Sequence, residues 1–414
     1  MITKTAQLSA IQKGGYWILC FGTLASLSAL FILDVNAATK IFTLSSLVAV
    51  VMILTQWKEV LSQKAFLLLP GVVLLLGLSN LIWLDIFKPK HSDFSGTYRS
   101  YLYSGRIFIS GAFIILAFHL AKISMRKTIL YCSMALLAVC LIYAYLQQPT
   151  PRITLAFLLA TTTGYATAIL GVTVCGYLLN QQPKGFIFYF FAAFAITLFT
   201  LFLTETRAAI LSFPVIIFIM LFMQFIKNTK TLMKITTIFF IVVIAVLFAM
   251  KDIVMSRANN LMQDVNSYQN NNSRTSVGAR LAMFEVGILT AKYSIIGQSI
   301  ESRASAIHAA SVKDKKLNGA MVFANVHLHN EIVEALSLKG VSGVLLVIAF
   351  YLSLLWSAIR FRNITLFGIT LSLLLFGLSD VLFYARDIPI VTTLCIAFSL
   401  LLNKKVHDDS KIVS

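Results

Sequence analysis

Residues 325 to 340 read NVHLHNEIVEALSLKG and gather His327, His329, Asn330, Glu331 and Glu334 in a chain that is 58% hydrophobic and only 12% charged. Histidine titrates near neutrality, so either imidazole suits proton abstraction from a hydroxyl at physiological pH. Asn330 is a good helix N-cap and Glu331 suits a positive first turn, with Ile332, Ala335 and Leu336 on one face and Gly340 able to close a short helix. Such a helix start puts His329 where Asn330 or a nearby acid orients its ring. The alternative is a polar histidine at a membrane–water interface, and position alone leaves both readings standing. Zinc is disfavoured: residues two apart on a helix point about 200° apart, and no cysteine or acidic cluster supplies further ligands.

Two further stretches carry cations where helices begin. TETRAAILSFP, Thr204 to Pro214, links two apolar runs, with Arg207 at the start of the second. Free amides and the helix dipole attract anions there, and a planar guanidinium grips phosphate through paired hydrogen bonds. The competing reading is an arginine reaching toward water, paired with Glu205. Arg280 lies near the start of SVGARLAMFEVGILTA, whose Leu281, Phe284 or Glu285, and Ile288 share the face of an amphipathic helix lying on the membrane surface. Alone, Arg280 reads as a solvated charge; together with Arg207 it suggests a diphosphate.

Asp380, in GLSDVLFYARD, is an ionisable group at the end of an apolar run, where a lone charge is costly. Arg386, His329 and Arg207 are its candidate partners. TYRSYLYSGR, Thr97 to Arg106, interleaves tyrosines with arginines at the same surface; sugar or phosphate contact is open, with an interfacial aromatic belt the favoured reading. The chain has no phosphate-cradling GxxxxGK[ST] loop, no HExxH, and no DxD in the segments outside the cytoplasm to hold a metal-bound nucleotide sugar.

The elements that position these groups are membrane helices. The 414 residues include 32 phenylalanines, far too apolar a composition for a soluble protein. Charge-free runs long enough to cross about 30 Å of hydrocarbon fall near 16–33, 41–56, 65–84, 105–121, 128–146, 155–179, 186–203, 208–226, 234–250, 341–359, 364–383 and 388–402. This predicts an all-α integral membrane protein of about twelve spans. Basic residues concentrate in alternate short connections and in the tail with Lys404, Lys405 and Lys411, which places both termini in the cytoplasm. Much of the net charge of +18 is thus topology, not a nucleic-acid-binding surface.

The long connection then faces away from the cytoplasm, dividing the chain into spans over 1–250, a loop over 251–340 that carries the reactive residues, and spans with a tail over 341–414. Asp264 to Ser276, DVNSYQNNNSRTS, has the composition of a solvated segment. Val35 to Ala37 resembles a signal-peptide cleavage site, but the apolar run before it is too long for one. The five cysteines sit within spans at spacings that fit neither zinc nor a disulfide framework, so they read as packing residues.

In this order and topology, TETRAAIL, SVGARLAMFEVG, NVHLHNEIVEALSLKG and GLSDV resemble the motifs of enterobacterial O-antigen ligases, over nearly the whole chain. The resemblance implies a GT-C-type glycosyltransferase of the bacterial inner membrane. Its reaction moves O-antigen polysaccharide from undecaprenyl diphosphate to lipid A-core at the periplasmic face, without metal or other cofactor. It further implies that His329 is catalytic, that Arg207 and Arg280 bind the diphosphate, and that Asp380 matters; Asn330 and His327 are possible supporting residues. The family's relatives keep three rivals open: an O-antigen polymerase, a protein O-oligosaccharyltransferase and, from another class, a polyisoprenoid flippase or secondary transporter. Ionisable groups gathered at one rim, and not at the membrane midplane, oppose the transporter.

Overall fold

A computed structural model describes residues 9–402 except 63, 151, 271, 293 and 294. Its described residues form seventeen α-helices and no strand. They are α1 (Ala10–Ile32), α2 (Val35–Thr55), α3 (Trp57–Ser62), α4 (Leu68–Phe87), α5 (Ser95–Leu120), α6 (Arg126–Leu146), α7 (Ala160–Gln181), α8 (Phe186–Thr204), α9 (Arg207–Phe225) and α10 (Thr229–Ala249). The long inter-span segment holds α11 (Lys251–Gln269), α12 (Ser276–Ala291), α13 (Ile300–Lys313) and α14 (Asn318–Met321); α15 (Glu331–Arg360), α16 (Ile364–Gly377) and α17 (Asp387–Leu402) follow. The chain is an all-α integral membrane protein; its described residues include ten helices long and apolar enough to cross a bilayer and two shorter apolar ones, α16 and α17. The basic tail lies outside the described residues.

Polar caps start many of these helices. Ser9 and Gln12 form a reciprocal capping box at α1, and Asp34, Thr275, Ser299 and Asn363 accept backbone amides at α2, α12, α13 and α16. The spans differ sharply in how much protein surrounds them. Of the most apolar window of α7, 94% is buried, against 17% for α10, so α7 is the axis of the bundle and α10 faces mainly lipid. Close approach in the core uses small residues: a Cβ on Gly171 of α7 would collide with Thr197 of α8.

Gly340 closes a short helix that starts at Glu331: its φ of 64° and ψ of −153° break α15 into two helices, the second of which runs on as a span. A side chain there would strike the Ile295 carbonyl, and only glycine adopts this conformation cheaply. The polar stretch from Asp264 is solvated, as its composition suggests: it is helical as far as Gln269, and α11 has no buried residue among those described. Two expectations need correcting. The tyrosines of α5 form no interfacial belt. Tyr98 and Tyr101 are buried, and Tyr98 donates to Glu301 (2.6 Å) while Thr97 donates to the Asn325 carbonyl (2.5 Å), tying α5 to the inter-span segment.

The second concerns α12. Its buried face carries Ala279, Ala282, Met283 and Val286, which pack with Leu328 and Val333 in a small separate core. Leu281, Phe284 and Ile288, the apolar face read from the sequence, are exposed. The helix therefore has two apolar faces, one for the protein and one free for lipid.

Candidate active site

His327 and His329 do not lie on a helix. Residues 327–330 are irregular, and Asn330 caps α15 by accepting from Ile332 (3.1 Å) and Val333 (3.0 Å). Leu328, 1% exposed, points into the small core, and both imidazoles turn the other way, with ring centroids 4.3 Å apart. The argument that spacing keeps the two histidines apart is thereby overturned. His329 adopts φ 49°, a left-handed conformation that costs a non-glycine residue roughly 1–2 kcal/mol.

Both rings face Asp380, in the turn between α16 and α17. His329 Nδ1 is 3.0 Å from Asp380 Oδ1, which also accepts from the Val381 amide (2.9 Å). A neutral His329 that donates from Nδ1 presents the lone pair of Nε2 to its surroundings, the arrangement of a general base held by a carboxylate. Burial acts to raise the pKa of Asp380, but the hydrogen bond from His329, the neighbouring imidazoles and the Val381 amide outweigh it, and the carboxyl stays below its ordinary value. Of the three candidate partners for Asp380, His329 is the one in place. Arg386 instead donates to Asn36 (2.7 Å) and lies over the Tyr103 ring.

His327 Nδ1 is 3.8 Å from Asp380 Oδ1, buried, and without a hydrogen bond. Burial pushes its pKa down to about 4, only partly offset by Asp380, so the ring is neutral at pH 7 and the contact is no charge pair. Donor atoms of His327, His329 and Asp380 all lie within 4.8 Å of one another, so these three could hold a metal ion, and among the described residues no further histidine, cysteine or carboxylate joins them.

The arginines meet in a separate cavity of about 220 Å³, lined by Arg152, Arg207, Arg257 and Arg280 together with Tyr165 and Glu205. Arg207 opens α9, whose first turn has no side-chain cap, so its amides are available to an anion. Its partner is Asp264 of α11 (3.2 Å), not Glu205, which pairs with Arg257. Arg152 and Arg280 have no ion pair among the described residues. Burial lowers the pKa of Arg152, and the positive charges of Arg207 and Arg280 lower it further. Four guanidiniums around one small space, with two carboxylates between them, leave an excess of positive charge. Tyr165 joins the two clusters: it lines the cavity, and its hydroxyl is 3.3 Å from Ser379, the neighbour of Asp380.

Residues 192–348 match the sequence model of a family described as O-antigen ligase. Over 406 residues the chain is 33% identical to an O-antigen ligase of Escherichia coli (strain K12), covering 97% of this chain and 96% of that protein. The chain belongs to the O-antigen ligase family. Within this O-antigen ligase family member, the segment matched to the model takes in Arg207, Arg280 and His329, while Arg152 and Asp380 lie outside it. Sequence reading missed Arg152, Arg257 and Tyr165. Arg152 had a signal, an arginine in a short connection on the sparsely basic side, the same argument that singled out Arg207. Tyr165, one aromatic within a span, had none.

Proposed function

We propose that this chain is a multi-pass inner-membrane O-antigen ligase of GT-C type, transferring O-antigen polysaccharide from undecaprenyl diphosphate to lipid A-core. The observation that carries the reading is the His329–Asp380 pair beside an arginine-lined cavity, with Tyr165 between them. In the reaction, His329 Nε2 takes the proton of an acceptor sugar hydroxyl as that oxygen attacks the anomeric carbon of the donor. The bond from that carbon to the phosphate oxygen breaks, and undecaprenyl diphosphate leaves with the electron pair. Arg207 and Arg280, aided by Arg152, offset the charge that develops on it. A single displacement inverts the anomeric configuration. Asp380 keeps the His329 ring in the required tautomer and stabilises it once protonated.

The charge bias of the short connections supports cytoplasmic termini and a reaction on the periplasmic side. The reaction is metal-independent in this reading: the Nδ1 atom of His329 is engaged by Asp380, and the arginines supply the positive charge that a divalent ion would otherwise bring. The experiment is transfer by purified protein in detergent, with lipid-linked O-antigen as donor, and with lipid A-core, a second donor chain or a pilin-like protein as acceptor. A product with lipid A-core alone, unaffected by excess EDTA, is expected. Transfer only to the second chain would make the protein a polymerase, and only to protein an oligosaccharyltransferase. No product with any acceptor would favour a transporter. Loss on chelation, restored by a divalent ion, would put a metal in the mechanism.

A further inference from the structure

The first turn of α15 carries two buried carboxylates, Glu331 and Glu334. Acidic residues there suit the helix dipole, but Asn330 already caps the α15 amides, and both carboxylates reach away from their own helix. Glu334 Oε2 accepts the Leu328 amide (2.8 Å), the peptide between the two histidines. Its other oxygen meets the Tyr101 hydroxyl and Arg303 Nη1 (2.8 Å). Arg303, fully buried, also donates to the Val326 carbonyl (3.3 Å) on the other side of His327. Glu331 Oε2 accepts from Leu382 (2.7 Å) and Phe383 (3.1 Å), in the turn that follows Asp380, and Asn330 donates to the Leu378 carbonyl (3.1 Å) just before it.

We infer that Glu331 and Glu334 are positioning residues that use one helical turn as a common ruler: Glu334 fixes the backbone of the histidine segment, Glu331 that of the Asp380 turn, and so together they set His329 against Asp380. His329 and Asp380 are 51 residues apart in sequence, and their two segments meet through few other bonds. Nothing local holds His329 at its positive φ, and such a conformation persists only where its surroundings over-determine it. Glu334 and Arg303 supply that determination on one side of the pair. Glu331 supplies it on the other. A misplacement of about 1 Å at a reacting group costs on the order of 100-fold in rate, so the effect of losing either carboxylate falls on kcat.

The inference rests on His329 and Asp380 being the reacting pair, and the test separates the two ideas. Transfer is measured for Glu331→Ala, Glu331→Gln and Glu331→Asp, each alone and with Asp380→Ala, at matched amounts of folded protein judged by thermal melting. Glu331→Ala is expected to lower kcat on the order of 100-fold with donor KM little changed. Glu331→Gln, which keeps an acceptor oxygen, should recover most of that loss. In the Asp380→Ala background the same change should cost little, because the carboxylate it positions is gone. Should the alanine variant fail to fold, Glu331→Asp, which withdraws the acceptor by one methylene and keeps the carboxyl group, carries the same comparison. Equal penalties in the two backgrounds, or full kcat in folded Glu331→Ala, would overturn the positioning role. Undiminished activity of His329→Ala would instead remove the base itself.

Discussion

Asp264 and Asp380 each meet a residue singled out by its chemistry, and they are held in opposite ways. Asp380 sits in a turn whose backbone is bonded by Glu331 and Asn330, and its partner His329 comes from a segment bonded by Glu334. Asp264 stands on α11, a helix with no buried residue among those described, and reaches Arg207 at 3.2 Å across the rim of the cavity. One carboxylate belongs to a finished pair. The other is an anion on loan to an arginine whose surroundings, an uncapped helix start and three more guanidiniums, suit a stronger anion. In the proposed reaction the difference divides the labour of one site: the group proposed to move a proton is fixed in advance, and Arg207, proposed to grip the diphosphate, is held by a partner it can exchange.

The largest expected effect tests the finished pair. His329→Ala should lower transfer about 100- to 10,000-fold while donor binding survives, since a base acts in the chemical step. A loss confined to donor affinity, measured by titration of the lipid donor, would move His329 to the exchangeable side of the comparison. Next, Arg207→Lys and Arg280→Lys should each lose on the order of 100-fold although charge is kept, because an ammonium cannot reproduce a two-point grip on phosphate. Ligation near the unmodified rate in both, at equal membrane levels, would dissolve the clamp.

Asp264→Asn should act in the opposite direction. Freed of its partner, Arg207 should bind donor more tightly, by up to about fivefold, the most that a partly exposed ion pair of about 1 kcal/mol withholds; a donor KM that rises would show Asp264 to be part of the grip. The smallest effect concerns His327, which is buried neutral among Asp380, His329, Glu334 and Arg303. With a folded pKa near 4, below its ordinary 6.5, its contribution to stability is complete above pH 6.5 and declines as pH falls from 6.5 toward 4. Melting temperature should fall over that window, and His327→Gln should flatten the fall.

The parts legible in the sequence were those with a local signature. Charge-free runs marked the spans, Asn330 marked a helix start, and the types of His329, Arg207, Arg280 and Asp380 stood out against hydrocarbon. Partners were not legible. Arg303 reads as one of several charges in a polar helix, and only the fold shows it fully buried between Glu334 and Val326. Asp264 lay in a stretch too polar to suggest a helix, yet α11 carries it to Arg207, 57 residues away in the chain. The two histidines were misjudged because a helical period was assumed for a segment that is irregular, and Leu328, buried between them, leaves both rings on the side away from the small core.

The thin packing of α10 bears on the arginine cavity. Ile235, Phe239 and Val246 are its buried residues, and beyond them the helix trades protein for acyl chains that attract it almost equally. Through α11 the same helix carries Asp264 and Arg257, whose ion pairs with Arg207 and Glu205 bind that wall to the start of α9. Coulombic attraction thus adds to dispersion in closing this side of the cavity, and because both pairs are partly buried, mobile ions in the surrounding water screen it less than they would an exposed pair. The two ion pairs are the contacts through which ionic strength reaches the width of the cavity.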